Sequence, residues 1–153
     1  EANQTLQFYR ERFSITGLFE NEVYEGIEEL LKNLKQLNYR IAVATSKPTV
    51  YAKQILDFFD LSRYFEVIVG SELDGTRSAK GEVIEEVLKQ MKIEKKDQCV
   101  MIGDRKHDLI GASENGIDSI GVTYGYGSQQ ELEDANATYI VHSVDSLSII
   151  FGE

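Results

Sequence analysis

The chain has 153 residues, of which 42% are hydrophobic and 27% charged, a composition typical of one soluble globular domain. Its formal net charge of −10 argues against nucleic acid and anionic membrane surfaces as partners, because both repel an acidic protein. The single cysteine, Cys99, lies in an apolar run, so we expect no internal disulfide but a buried, reduced thiol. This predicts a cytoplasmic protein, and no apolar stretch reaches the ~20 residues that span a bilayer.

The first residues stand apart from the rest of the chain. Apolar side chains between Leu6 and Phe13 are spaced as at the end of a helix, and the tract after them has the turn residues of a connection between two packing units. From Ile27 onward, apolar residues recur at three- and four-residue steps. This spacing predicts an amphipathic helix that ends near Asn38.

Apolar strands and helices then alternate to the end of the chain. The predicted strands are RIAVAT (40–45), FEVIVG (65–70), CVMIG (99–103), DSIGVT (118–123) and TYIV (138–141). A helix is expected after each strand, with Pro48 as the first residue of one helix and Ser78 as the N-cap of another. Strands that are apolar throughout and alternate with helices favour a parallel sheet covered on both faces. The predicted fold class is therefore α/β, a doubly wound, Rossmann-like sheet.

Two aspartates, Asp104 and Asp108, follow the strand CVMIG. Ligands of an open parallel sheet bind at the carboxyl ends of its strands, and there a spacing of four residues lets both carboxylates face one point. Carboxylates this close repel each other unless a cation or a proton relieves them, and Mg²⁺ is a common partner beside phosphate. The alternative is that Asp104 caps the following helix and Asp108 complements its dipole. For the pair taken alone, both interpretations stay open.

Thr45 and Lys80 lie at two further strand-to-helix junctions. The Thr45 hydroxyl and the backbone N–H groups after it suit phosphate oxygens, and the alternative is a simple N-cap. Lys80 can hold phosphate as a point charge, and the alternative is a solvated helix lysine. Each alternative is favoured when its residue is taken singly. A hydroxyl, a lysine and an acid pair in chain order on successive junctions favour a phosphate site instead.

With these motifs the chain resembles the haloacid-dehalogenase-like hydrolase superfamily, and within it the phosphoglycolate phosphatase and β-phosphoglucomutase-like branch. Thr45 in VATSKP matches the second motif of that family, and Lys80 in RSAKGEVI matches the third. Gly103, Asp104 and Asp108 match the fourth motif, G-D-x-x-x-D. The resemblance assigns residues 1–20 to the end of a helical cap domain. It assigns residues 21–153 to an α/β hydrolase core that lacks its first strand.

The resemblance implies a Mg²⁺-dependent phosphatase that hydrolyses a small phosphomonoester through an aspartyl-phosphate. The substrate would be phosphoglycolate-like, or a nucleotide or sugar phosphate. Asp104 would be the main metal ligand, and Asp108 would ligate the metal or orient a metal-bound water. The implied phosphate-binding residues are Thr45, Ser46, Lys47 and Lys80, and the implied catalytic residues are Thr45, Lys80 and Asp104. His107, between the two acids, either touches substrate or metal or is a solvated loop histidine.

The first motif of the family, D-x-D-G-T, has no match before Thr45. That motif supplies the nucleophilic aspartate, so we expect this chain alone to be inactive and a missing N-terminal segment to complete the sheet. The tract ELDGT (72–76) imitates the motif, but it has a glutamate at the nucleophile position and lies between the second and third motifs. We interpret it as a glycine turn that leads to the Lys80 helix.

In the family, the strand of the first motif lies between the strands predicted at 40–45 and 99–103. Without that strand, the sequence predicts a gap of ~9.6 Å between them, or a segment from another chain that fills it. Two other functions stay open. A phosphosugar mutase shares every motif found here, and a non-catalytic binding or structural fragment would explain the absent aspartate.

Overall fold

The structure of the protein, a computed structural model, describes the backbone of residues 6–9 and, with their side chains, residues 26–72, 74, 77 and 79–151. The strands of this part of the chain are β1 (Leu6–Tyr9), β2 (Arg40–Pro48), β3 (Val67–Ser71), β4 (Cys99–Gly103), β5 (Asp118–Val122) and β6 (Tyr139–Val141). Its α-helices are α1 (Ile27–Gln36), α2 (Thr49–Phe58), α3 (Lys80–Gln90), α4 (Lys106–Glu114), α5 (Gln129–Asp134) and α6 (Val144–Ile150). Short 3₁₀ turns cover Ser62–Tyr64 and Lys96–Gln98.

The strands form one sheet in the order β3-β2-β1-β4-β5-β6, and every neighbouring pair is parallel. Alternate residues of β2 join different clusters of buried side chains. Ile41 and Val43 pack in the cluster that contains the apolar faces of α1 and α2, whereas Ala42 and Ala44 pack in the cluster of α3 and α4. The sheet is therefore covered on both faces, and the doubly wound α/β class is confirmed.

The position between β2 and β4 is filled by the chain's own strand β1. Leu6 pairs with Arg40 on one side and with Cys99 on the other, so both edges of β1 join the ladder. The predicted arrangement with one strand between these two is confirmed, but the expected gap or second chain is wrong. The end of a helix expected at these four residues is wrong as well. Without β1, backbone N–H and C=O groups on the facing edges of β2 and β4 would be buried without hydrogen bonds, at a cost of about 1–3 kcal/mol for each group. Strand β1 pairs with both edges and removes that cost.

Several predicted boundaries shift by a few residues. Strand β2 continues to Pro48, which precedes α2 with an extended ψ of 141° and is not its first helical residue. Helix α4 ends before Gly116, whose φ of +73° is in the left-handed region that stops a helix, as predicted. Ser78 lies outside the described residues, as do 1–5 and 10–25, so the assignment of 1–20 to a helical cap stays a prediction. None of the helices in the described part of the chain is long and apolar enough to cross a membrane.

Candidate active site

Asp108 lies in the first turn of α4 and is completely buried. One of its oxygens, Oδ2, accepts hydrogen bonds from the backbone N–H of Asp104 at 3.1 Å and of Arg105 at 3.2 Å. The carboxylate thereby satisfies the free N–H groups at the start of the helix, so helix capping belongs to Asp108 and not to Asp104. Gly103 makes this approach possible, because a Cβ there would overlap the Asp108 side chain.

Lys80, the first residue of α3, forms a buried ion pair with Asp108. The ammonium Nζ donates to Asp108 Oδ1, and the exposed fractions of the two side chains are 1% and 0%. A buried ammonium costs several kcal/mol of lost hydration unless a carboxylate faces it, so this contact holds both charges in place. The alternative of a solvated helix lysine is therefore wrong for Lys80.

Asp104 follows β4 and is also buried. Its Oδ2 accepts a hydrogen bond from the backbone N–H of Tyr126 at 3.0 Å, and its carbonyl oxygen accepts one from Gly127 at 2.9 Å. Both donors belong to the loop that joins β5 to α5. Gly125 lets this loop come close, since a Cβ at that position would overlap the Asp104 side chain. The loop thus orients the carboxylate that the resemblance predicts to be the main metal ligand.

Arg105 and the start of α4 are bound from outside by Glu131 of α5. Glu131 Oε2 accepts from Arg105 Nε at 2.9 Å and from the backbone N–H of Lys106 at 2.7 Å. The hydrogen bond from Arg105 is the main cause that lowers the pKa of Glu131, and the hydrogen bond from the Lys106 N–H is the second. The Glu131 carboxylate in turn raises the pKa of Arg105. The sequence analysis missed this pair.

The Thr45 segment continues β2 where we expected a turn. Thr45 is buried, and in the described structure its hydroxyl accepts a hydrogen bond from the Lys47 N–H at 3.2 Å. The exposed Ser46 accepts a hydrogen bond at its carbonyl oxygen from Ser71 Oγ, at 3.2 Å. No hydrogen bond in the described part of the chain joins the Thr45 hydroxyl to Asp104, Asp108 or Lys80.

A cavity of about 380 Å³ lies beside Ser46 of β2, the start of α3 and one side of α4. Ser46, Lys80 and the exposed His107 are among the residues that line it. A larger cavity of about 600 Å³ lies on the outer side of α3, where Glu82, Glu85 and Glu114 contribute to its wall. Glu114 lines both cavities, and the larger one also has Lys89 and Lys96 in its wall. The smaller cavity is the one that adjoins the buried Lys80–Asp108 pair.

The tract imitating the first motif is only partly described. Glu72 forms an ion pair with Arg77, which also donates from Nε to the Gly70 carbonyl oxygen at 3.2 Å. Asp74 is exposed in a turn, and residues 73, 75 and 76 lie outside the described residues. The carboxylate of Glu72 is thus held by an arginine that follows it in the same connection.

Residues 1–122 match the sequence pattern of the family described as haloacid dehalogenase-like hydrolase. The chain belongs to this family. A 5'-nucleotidase of Pseudomonas aeruginosa is 49% identical over 138 residues, which are 90% of this chain and 62% of that protein. The tyrosine-protein kinase PtkA of Mycobacterium tuberculosis is 36% identical over 99% of this chain and 52% of its own length. The chain therefore spans about half to two thirds of the curated relatives that it matches.

A solved structure supports the same assignment. The crystal structure of a predicted phosphatase from Clostridium acetobutylicum is 54% identical in sequence and superimposes with a TM-score of 0.86. The likeness covers 89% of this chain and 62% of that one. The resemblance to haloacid-dehalogenase-like hydrolases, predicted from Thr45, Lys80 and the G-D-x-x-x-D motif, is thereby confirmed.

The family site contains a donor set that suits a hard cation. Asp104 and Asp108 are two buried carboxylates at the carboxyl end of one strand, with backbone N–H groups that orient an oxygen of each. Among the described residues no three His, Cys, Asp or Glu side chains group together as a metal cluster. Mg²⁺ is commonly held by one or two carboxylates, with water and phosphate oxygens as its other ligands, so the pair present here fits it.

Proposed function

We propose that the protein to which this chain belongs is a Mg²⁺-dependent phosphatase that hydrolyses a small phosphomonoester. The observation that carries the proposal is the connected group of Lys80, Asp108 and Asp104, buried at the carboxyl edge of the sheet beside a cavity. An ammonium and two carboxylates in such a place match the needs of a phosphate that binds together with a divalent cation.

The nucleophile of the proposed reaction would be an aspartate of a first-motif segment that does not match any part of these 153 residues. Such a segment would take the place of β1 between β2 and β4. The carboxylate oxygen of that aspartate would attack phosphorus while the ester P–O bond breaks, and the alkoxide would leave as the alcohol after it takes up a proton from water or a general acid. Water would then release inorganic phosphate from the aspartyl-phosphate and restore the carboxylate. This chain would contribute the residues that bind and orient the phosphate group.

Asp104 would hold Mg²⁺, and Asp108 would be a second ligand or would orient a metal-bound water; when bound, Mg²⁺ neutralises negative charge on the phosphate oxygens. Lys80 would balance the charge of the phosphate and of Asp108. Thr45 and the Ser46 N–H would bind phosphate oxygens, and Lys47 would contact the substrate anion. Of these groups, Ser46 and Lys80 already line one cavity, which supports their part of the assignment.

The substrate would be a small phosphorylated metabolite, and we place a nucleoside 5'-monophosphate first among the candidates. The relative named 5'-nucleotidase, at 49% identity, supports this order. Phosphoglycolate and sugar phosphates remain the other candidates. The buried free thiol of Cys99 is consistent with the proposed cytoplasmic location.

The test is an assay on the protein that contains this chain together with the segment preceding Glu1. We expect Mg²⁺-stimulated release of phosphate from an aryl phosphate and from at least one nucleoside 5'-monophosphate. We also expect Asp104→Asn to lower turnover by orders of magnitude. Absence of Mg²⁺-stimulated release from all of these substrates would sink the proposal. Conversion of β-glucose 1-phosphate into its isomer would favour the mutase instead.

A further inference from the structure

The turn that carries the acid pair is held by a third carboxylate, which lies outside every motif of the family resemblance. Glu131, in the first turn of α5, accepts two hydrogen bonds with the same oxygen, from the guanidinium of Arg105 and from the N–H of Lys106. Its own N–H donates to the Ser128 hydroxyl at 3.1 Å, the N-cap contact that starts α5. Glu131 is therefore fixed at its backbone as well as at its side chain.

The two groups that Glu131 binds lie between the proposed metal ligands. Arg105 directly follows Asp104, and Lys106 is the first residue of the helix that carries Asp108. From the same side, the loop before α5 binds Asp104 through the N–H groups of two residues at 3.0 and 2.9 Å. Four hydrogen bonds from one loop and helix thus fix the turn from Asp104 to Asp108.

We infer that Glu131 is a positioning residue that sets the geometry of Asp104 and Asp108 for a divalent cation. The inference rests on the proposed function, because that function assigns the cation to these two aspartates. Mg²⁺ demands near-octahedral coordination, so its affinity is sensitive to small rotations of the carboxylates that bind it. Groups that orient metal ligands from behind typically change metal affinity by 10- to 100-fold when they are removed.

An ordinary surface ion pair would not behave in this way. Exposed ion pairs contribute little to stability, because solvent screens them and both side chains lose freedom when they pair. The Glu131 side chain is only 22% exposed, and one of its two partners is a backbone N–H that cannot turn away. Loss of the carboxylate therefore releases the start of α4 itself.

The test compares three variants of the protein that contains this chain by calorimetric titration with MgCl₂. Glu131→Ala removes both accepted bonds, and we expect the dissociation constant for Mg²⁺ to rise at least ~10-fold. Glu131→Gln keeps an oxygen that accepts both bonds, so affinity should return to within about threefold of the wild type. Glu133→Ala is the matched control, because Glu133 is an exposed glutamate of the same helix. The Mg²⁺ affinity of this variant should stay within about twofold of the wild type.

A second readout needs no metal. The amide proton of Lys106 should shift upfield in the NMR spectrum of Glu131→Ala and stay in place in Glu133→Ala, since a bond to a carboxylate deshields the proton. A folded Glu131→Ala that binds Mg²⁺ as tightly as the wild type would overturn the inference. If Glu131→Ala does not fold, a Glu131→Gln with affinity more than about tenfold weaker would overturn it, and one near the wild type would support it. A wild-type protein that contains this chain and binds no Mg²⁺ would overturn the proposed function itself, together with this inference.

Discussion

At the scale of single residues, the Lys80–Asp108 ion pair is the contact of the site whose loss should destabilise the fold most, because both side chains are shielded from water. Asp108 has a second set of partners, the N–H groups of Asp104 and Arg105, so its charge is bound at both oxygens. Removal of one member of such a pair leaves the other charge buried and uncompensated. Measured losses of this kind are about 3–5 kcal/mol.

We predict that Lys80→Met and Asp108→Asn each lower the free energy of unfolding by about 3 kcal/mol. The double variant should lose at least ~1 kcal/mol less than the sum of the two, because it leaves no unpaired charge in the core. Urea denaturation of the four proteins measures this coupling. As a control, Arg63→Met removes exposed ion pairs with Glu28 and Asp60, and it should destabilise the protein far less than either buried change. If the loss of unfolding free energy in the double variant equals the sum of the two single losses, the two side chains do not interact as a buried ion pair.

At the scale of elements, the loop between β5 and α5 determines how Asp104 is held. Gly125→Ala should push this loop away from the Asp104 side chain and break the hydrogen bonds of Tyr126 and Gly127. We expect hydrogen exchange at those two N–H groups to accelerate at least ~10-fold. Gly116→Ala is the matched control, because its Cβ would meet only the Lys96 side chain, at 4.0 Å, while its φ of +73° is strained for alanine. Gly116→Ala should lower global stability by about 1 kcal/mol with no selective effect on the loop. Equal exchange rates at the Tyr126 and Gly127 N–H groups in the two variants would argue against the contact of the loop with Asp104.

A second element contact joins the start of β2 to the segment before β3. Arg40 donates from Nε and Nη2 to the two oxygens of Glu66, at 3.0 and 2.7 Å, and from Nη2 to the Met91 carbonyl oxygen at 2.9 Å. The hydrogen bonds from Arg40 lower the pKa of Glu66 below 4.5, and its burial opposes them. The folded state therefore gains stability above that pH, and the gain is lost as the pH falls through the folded pKa.

We predict that Arg40→Gln lowers the free energy of unfolding by no more than about 1 kcal/mol at neutral pH, because both side chains are roughly two-fifths exposed. The difference from the wild type should shrink as the pH falls below 4.5, the ordinary value for Glu66. Urea denaturation at several pH values measures it. Glu66→Gln should lose the same pH-dependent part, and a difference that stays constant with pH would assign the effect to the Met91 contact alone.

At the scale of the whole molecule, the elements that the sequence predicted well are long apolar runs with clear boundaries. Strand β4 begins at Cys99 and ends at Gly103 as expected, because five buried residues lie between polar turns. Strand β1 escaped prediction because its four residues, LQFY, suit a helix end as well as a strand. Its place is decided by the open edges of two strands far away in the sequence, which leave no local signal.

The same reason separates the predicted site residues from the missed ones. Asp104 and Asp108 are four positions apart, so a local motif identifies them. Tyr126 and Glu131 contact that turn from 22 and 26 positions further along the chain, and only the fold brings them there. The glycines around Tyr126 were the one available hint, since a loop that approaches a side chain closely needs residues without a Cβ.

The central claim is that Asp104 and Asp108 form the cation site of this haloacid dehalogenase-like hydrolase. A titration of the ¹⁵N-labelled chain with MgCl₂, followed by NMR, tests it most directly. We predict saturable shifts at the N–H groups of Asp104, Arg105, Tyr126 and Gly127, and their loss in Asp104→Asn with the remaining spectrum preserved. Shifts confined to the acidic wall of the larger cavity, at Glu82 and Glu85, or no saturable shift at all, would contradict the claim.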